Sequence, residues 1–225
     1  MRRIIKGPEP EELRRWKGNE VPQNLTYGNM TPAAKEGVKR QMLSEQGYLC
    51  AYTMQRIPTI EDCQIEHVVA RSQDPLLQIS YSNLLACAPS NRPGHRPHRG
   101  KCPFGAEQKD QTQIDENNFV SPLQEDVEHR FRYAADGSVA IVDNDGAAAS
   151  TITILRLDHE QLVDLRKAAI EERVFPDQEE GLSSEVAEDL SHAIMTPDGE
   201  GRLPEFCVAI SQVAAWYANR VGNGN

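Results

Sequence analysis

Glu66 and His67 stand side by side within the short segment Gln64–Val69. Asn83 follows within Tyr81-Ser82-Asn83-Leu84-Leu85, and Asn91 comes eight residues later. Beyond it lie Arg92, Arg96, Arg99 and Lys101, with His95 and His98 among them. Hydrolysis of a phosphodiester needs a base to activate water and a cation to offset charge on the pentavalent phosphorus and the leaving oxygen. His67 suits the first role, because imidazole titrates near neutral pH. Glu66 offers a hard oxygen ligand for Mg²⁺ or Mn²⁺. Asn83 can hold the base-bearing loop through its two-way amide. Asn91, or a histidine nearby, supplies the remaining metal ligand, and the basic residues read as phosphate contacts.

These residues need elements to position them. Gln64–Val69 reads as a strand, in which adjacent side chains point to opposite faces; a twist, a bulge or a strand end must bring Glu66 and His67 to one site. Residues 70–109 are rich in proline and glycine, with one short helix expected near Ser82–Ala86. Upstream, Thr31-Pro32 reads as N-cap and first residue of a helix over Ala33–Glu45, with Ala34, Val38 and Met42 on one face and Gly47 as its stop. Residues 1–30 look like an extended arm around one short helix, Glu11–Trp16, that gains order by docking on something, with Trp16 as an anchor for a partner. Downstream, Arg130–Val142 reads as a hairpin around Asp136-Gly137, and Thr151–Leu155 as a further short strand. Asp158 with Gln161 forms a capping-box pattern before a helix over Leu162–Arg173. Ser184 starts a second helix and Pro204 a third, where Phe206, Ile210, Val213 and Tyr217 share a face and Trp216 reads as packing. The expected class is α+β, organised as an arm (1–30), a site-bearing core (31–125) and a hairpin plus helical region (126–225).

The chain has 225 residues, 39% hydrophobic and 26% charged, as in an ordinary globular protein. No run of about 18 apolar residues exists, so no membrane span is expected, and the start carries no signal-peptide pattern. A cytoplasmic location is expected. Five cysteines (50, 63, 87, 102 and 207) argue against a disulfide framework and for metal ligation or core packing. The net charge of −10 opposes nucleic-acid binding, but its distribution does not. Residues 1–109 carry 16 Lys+Arg against 11 Asp+Glu, whereas 110–225 carry 8 against 23. From Pro75 to Ala106 there is no acidic residue, and a local basic patch governs phosphate attraction within a Debye length.

The ordered combination of Glu66-His67, then Tyr81-Ser82-Asn83-Leu84-Leu85, then Cys87-Ala88-Pro89-Ser90-Asn91 resembles the HNH, or ββα-metal, nucleases. The resemblance implies a two-stranded hairpin and a helix clamping one divalent ion. It implies His67 as general base, Asn83 as the central structural asparagine, Asn91 as the third motif residue, and Glu66 as a metal ligand. His98 competes for the third position, but its spacing of fifteen from Asn83 fits less well than the eight of Asn91. Met1-Arg2-Arg3-Ile4-Ile5-Lys6-Gly7-Pro8, Gln46-Gly47-Tyr48-Leu49-Cys50-Ala51-Tyr52, and Leu155-Arg156-Leu157-Asp158-His159 with Arg166-Lys167-Ala168-Ala169-Ile170 look like the PtuB-like subgroup. Those proteins are nuclease partners of an ABC/SMC-like ATPase in Septu antiphage systems and, with a reverse transcriptase, in some retron systems. Many relatives carry two Cys-x-x-Cys knuckles on zinc, and this chain has lost the second cysteine of each. Cys50, Cys63, Cys87 and Cys102 either assemble irregularly on Zn²⁺ or are core thiols. The expected function is a metal-dependent endonuclease on nucleic acid, with DNA as the first target and RNA as the alternative. The alternatives are a catalytically decayed binding or assembly module and a zinc-stabilised interaction protein.

Overall fold

The computed structural model describes residues 1–88, 102–110, 112–176 and 181–222. Its described residues form an α+β fold of seven α-helices and two small antiparallel sheets of two strands each. One hydrophobic cluster draws on residues from Met1 to Ala214, so 1–30, 31–125 and 126–225 all feed the same core. No helix among the described residues is long and apolar enough to cross a membrane.

The N-terminal arm docks on its own chain. Met1 and Ile4 are buried, and the Ile4 amide donates to Pro122 O at 2.8 Å. Helix α1 (Glu11–Asn19) turns Leu13 and Trp16 inward, with Trp16 only 6% exposed, so the residue expected to anchor a partner is spent on the core. Helix α2 (Pro32–Glu45) starts as expected, with Thr31 Oγ1 accepting from Ala34 N at 3.3 Å and Ala34, Val38 and Met42 buried. Gly47 then takes a left-handed φ of 60° and ends the run.

Strands β1 (Gln64–His67) and β2 (Leu84–Cys87) pair antiparallel, with Glu66 opposite Leu85 and His67 opposite Leu84. Every residue of β2 is buried. The helix expected near Ser82–Ala86 is therefore a 3-10 turn at Tyr81–Asn83 that runs straight into this strand; an apolar run covered on both faces favours extended backbone. The outer edge of β2 is closed by side chains. Gln46 Oε1 accepts from Ala86 N and Gln46 Nε2 donates to Ala86 O, both at 2.8 Å, while Lys6 Nζ donates to Leu84 O at 3.1 Å.

A one-turn helix, α3 (Ala106–Lys109), follows and is tied to the next helix by Gly105 N donating to Leu155 O at 2.8 Å. The expected hairpin is present as β3 (Phe131–Tyr133) and β4 (Val139–Ile141), turning at Gly137 with φ 80°. The strand expected at Thr151–Leu155 is instead the second half of helix α4 (Gly146–Leu155). Asp145 caps that helix by accepting from Ala148 N, and three alanines start it, which outweighs the β-branched run after them. Helix α5 (Glu160–Val174) is capped by the His159 ring, which accepts from Gln161 N at 3.3 Å, and not by Asp158. Helices α6 (Ser184–Ala193) and α7 (Cys207–Gly222) pack against each other. Trp216 does not pack inward: it is 51% exposed, with the Arg220 guanidinium 5.4 Å from its ring centre.

Candidate functional site

The end of β1 is held from two sides. Asn83 Oδ1 accepts from Val69 N at 2.8 Å, and Asn83 Nδ2 donates to Val69 O at 3.0 Å and to Leu77 O at 3.2 Å. The Asn83 carbonyl also accepts from Val68 N at 2.9 Å. One buried amide thus closes the loop between the two strands. From the opposite side comes Lys109, at the end of α3. Its ammonium, 1% exposed, donates to His67 O at 2.8 Å and Val68 O at 3.1 Å and pairs with Glu66 Oε1 at 2.8 Å. The backbone groups where the strand ends are satisfied by these two side chains.

His67 faces the loop that Asn83 closes. Its Nε2 lies 2.9 Å from Gln78 O. A carbonyl only accepts, so Nε2 carries the proton and Nδ1 the lone pair of the neutral ring, a tautomer assigned from this geometry. The Tyr27 ring meets the imidazole edge-on at 4.8 Å, with the Arg71 guanidinium 4.9 Å from the Tyr27 centre. Burial holds the imidazole below its usual pKa; Gln78 O pulls it up, and Arg71 and Lys109 push it down. Neutral pH therefore leaves His67 uncharged, as a proton acceptor must be.

Glu66 points to the other face, as alternation along a strand dictates. There its carboxyl is raised by burial and lowered by Lys109. On that side the Tyr52 hydroxyl is buried without a hydrogen-bond partner, and burial beside Glu66 holds the phenol well above its ordinary range. The strand end thus brings Glu66, His67 and Asn83 into one neighbourhood but not Glu66 and His67 onto one face.

The chemistry of the donor set decides whether a divalent ion fits. Among the described residues no three His, Cys, Asp or Glu form a group that could hold one. Glu66 is a suitable hard donor, but it is already neutralised by Lys109. Asn91, Arg92, His95, Arg96, His98, Arg99 and Lys101 lie outside the described residues.

The four cysteines considered for zinc do not gather as three or more ligands. None of them is in a disulfide; Cys50, Cys63 and Cys87 are buried and Cys102 is half-buried, and the side-chain hydrogen bond with Cys87 lowers Cys50 to about 5 while burial raises Cys87. Burial pushes Cys63 up to about 12, and its Sγ lies 3.8 Å from Gln64 O. Burial raises the half-buried Cys102 as well.

Gln78, Tyr27 and Lys109 were not legible as site residues. Gln78 meets His67 through its carbonyl, so its side chain, whose Oε1 accepts from Tyr27 N at 3.0 Å, gives no sign of that contact in the sequence. Lys109 sits in Ala106-Glu107-Gln108-Lys109, where a lysine reads as a solvated charge. No protein-family model matches this chain, and no curated protein matches it.

Proposed function

We propose that this chain is an endonuclease of the HNH kind, hydrolysing nucleic-acid phosphodiester bonds with His67 as general base. One observation carries the reading: an imidazole at the end of a short antiparallel strand pair, with Nε2 2.9 Å from the Gln78 carbonyl, an arrangement that leaves Nδ1 as the basic nitrogen. Nδ1 takes a proton from water as the oxygen attacks phosphorus, and Gln78 O stabilises the imidazolium that results. Asn83 keeps Gln78 and His67 in register by tying both ends of their loop. Arg92, Arg96, Arg99 and Lys101 are the proposed phosphate grip, with DNA preferred over RNA as target. Mg²⁺ or Mn²⁺ is the proposed cofactor, with Asn91, ahead of His98, as its motif ligand. The resemblance to PtuB-like proteins extends the proposal to a cytoplasmic antiphage complex with an ABC/SMC-like ATPase, joined in retrons by a reverse transcriptase.

The test is cleavage of plasmid and single-stranded DNA and of RNA by the purified chain, alone and co-expressed with a candidate ATPase. Activity that needs Mg²⁺ or Mn²⁺, stops with EDTA and is lost in His67→Ala supports the proposal. A His67→Ala variant as active as the parent refutes the base assignment. The Glu66–Lys109 pair favours a second reading, a binding or assembly module without catalysis, because the acidic motif residue already has a counter-ion. Binding of DNA with no cleavage under any of these conditions would select it.

A further inference from the structure

A cation is already in place at the end of β1. The three N–H groups of Lys109 meet three acceptors: His67 O, Val68 O and Glu66 Oε1. Burying a cation is costly unless it is paired and hydrogen-bonded, and Glu66 supplies the carboxylate. A divalent ion on Glu66 would set a dication against Lys109 across a shared carboxylate. It would also draw the counter-ion away from a desolvated charge. Both effects oppose such an ion. The neighbouring Tyr52 phenol adds no compensating negative charge, since burial keeps it protonated.

We infer that Glu66 is the committed counter-ion of Lys109, and that Lys109, not a divalent ion on Glu66, is the resident cation at the end of β1. This deepens the nuclease reading, on which its catalytic meaning rests: an ion needed for cleavage is then held without Glu66. Lys109 is a positioning residue in that scheme, fixing the backbone from which His67 projects.

The test uses the full chain carrying Glu66→Gln, Lys109→Met or both, read by thermal unfolding and by Mn²⁺ titration followed through the resonance of free Mn²⁺, without substrate. Each single variant melts lower than the parent, and the double variant recovers much of the loss, because it buries a neutral pair. Glu66→Gln changes the Mn²⁺ dissociation constant by less than about threefold, and Lys109→Met, which frees the carboxylate, tightens it. A double variant no more stable than the worse single one overturns the inference. So does a weakening of Mn²⁺ binding in Glu66→Gln by about tenfold or more, the loss expected of a true ligand. The cleavage assay fails separately: a parent that binds no Mn²⁺ yet shows coupled melting keeps the ion pair and removes the metal from the nuclease reading. EDTA-sensitive cleavage with additive melting does the reverse.

Discussion

Replacing Asn83 should uncouple the loop beneath His67, and the cost can be worked out bond by bond. Asn83→Ala deletes the bonds to Val69 N, Val69 O and Leu77 O. At about 1 kcal/mol net for each, and with the part-buried Val69 N–H left unpaired, the loss is about 3–5 kcal/mol. For a chain of this size that lowers the melting point by roughly 10 °C. Asn83→Asp separates geometry from chemistry. It keeps the acceptor for Val69 N but turns an ionised oxygen towards two carbonyls, so its folded carboxyl has a raised pKa. By linkage the variant is most stable at low pH, where the protonated acid can donate one bond, and loses stability as pH rises through that folded value. Thermal denaturation between acid and neutral pH, with hydrogen exchange at Val69 N–H, reads both effects. Asn83→Ala within about 1 kcal/mol of the parent, or Asn83→Asp with the parent's pH profile, would refute the account of the clamp.

Because burial depresses the His67 pKa, protonation opposes the fold. The stability it contributes is full above the unfolded imidazole value of about 6.5 and is lost as pH falls through the lower folded value. Cleavage should accordingly persist below pH 6.5 before it drops, which a pH–rate profile checks against His67→Ala. Gly137→Ala should cost about 2 kcal/mol or more, because φ is +80° and the added Cβ would stand 2.3 Å from Val163 O and 2.8 Å from Lys167 N; urea unfolding at unchanged slope would show it. Thr151→Val should cost about 1–3 kcal/mol, since Thr151 Oγ1 accepts from Val120 N and donates to Ala147 O, both at 2.7 Å. Its melting point read beside Thr153→Val separates this buried hydroxyl from the exposed one that donates to Ala149 O.

Where sequence reading succeeded, the deciding forces were local. Thr31-Pro32 capped α2, apolar periodicity marked α7, and Asp136-Gly137 placed the hairpin turn, each within a few residues. Thr151–Leu155 misled because a β-branched run resembles a strand, whereas the cap and the alanines that start the helix precede it. Trp16 and Trp216 reversed roles for a tertiary reason: α1 lies across α2 and buries one, while α7 offers the core its Ile210–Val213 side and leaves the other out. At the site, Glu66, His67 and Asn83 were legible as types and spacing. The face each one occupies was not, and neither was the lysine from 42 residues further on that engages His67 O.

The closed edge of β2 has a consequence for how the protein meets other chains. A two-stranded sheet normally leaves each outer strand with a row of unpaired amides and carbonyls, a template for a foreign strand. Here Gln46 mimics a third strand at Ala86, with Ala51 N adding a bond to the same carbonyl at 3.0 Å, and Lys6 seals Leu84. The ammonium of Lys6 is itself held by Glu45 at 3.0 Å and lies 3.5 Å from the Tyr81 ring centre. The segment around Lys6 therefore acts as a guard against strand exchange between copies, and a partner cannot recruit this sheet by adding a strand to β2. Where that guard is pulled away, self-association through β2 is the failure to watch for.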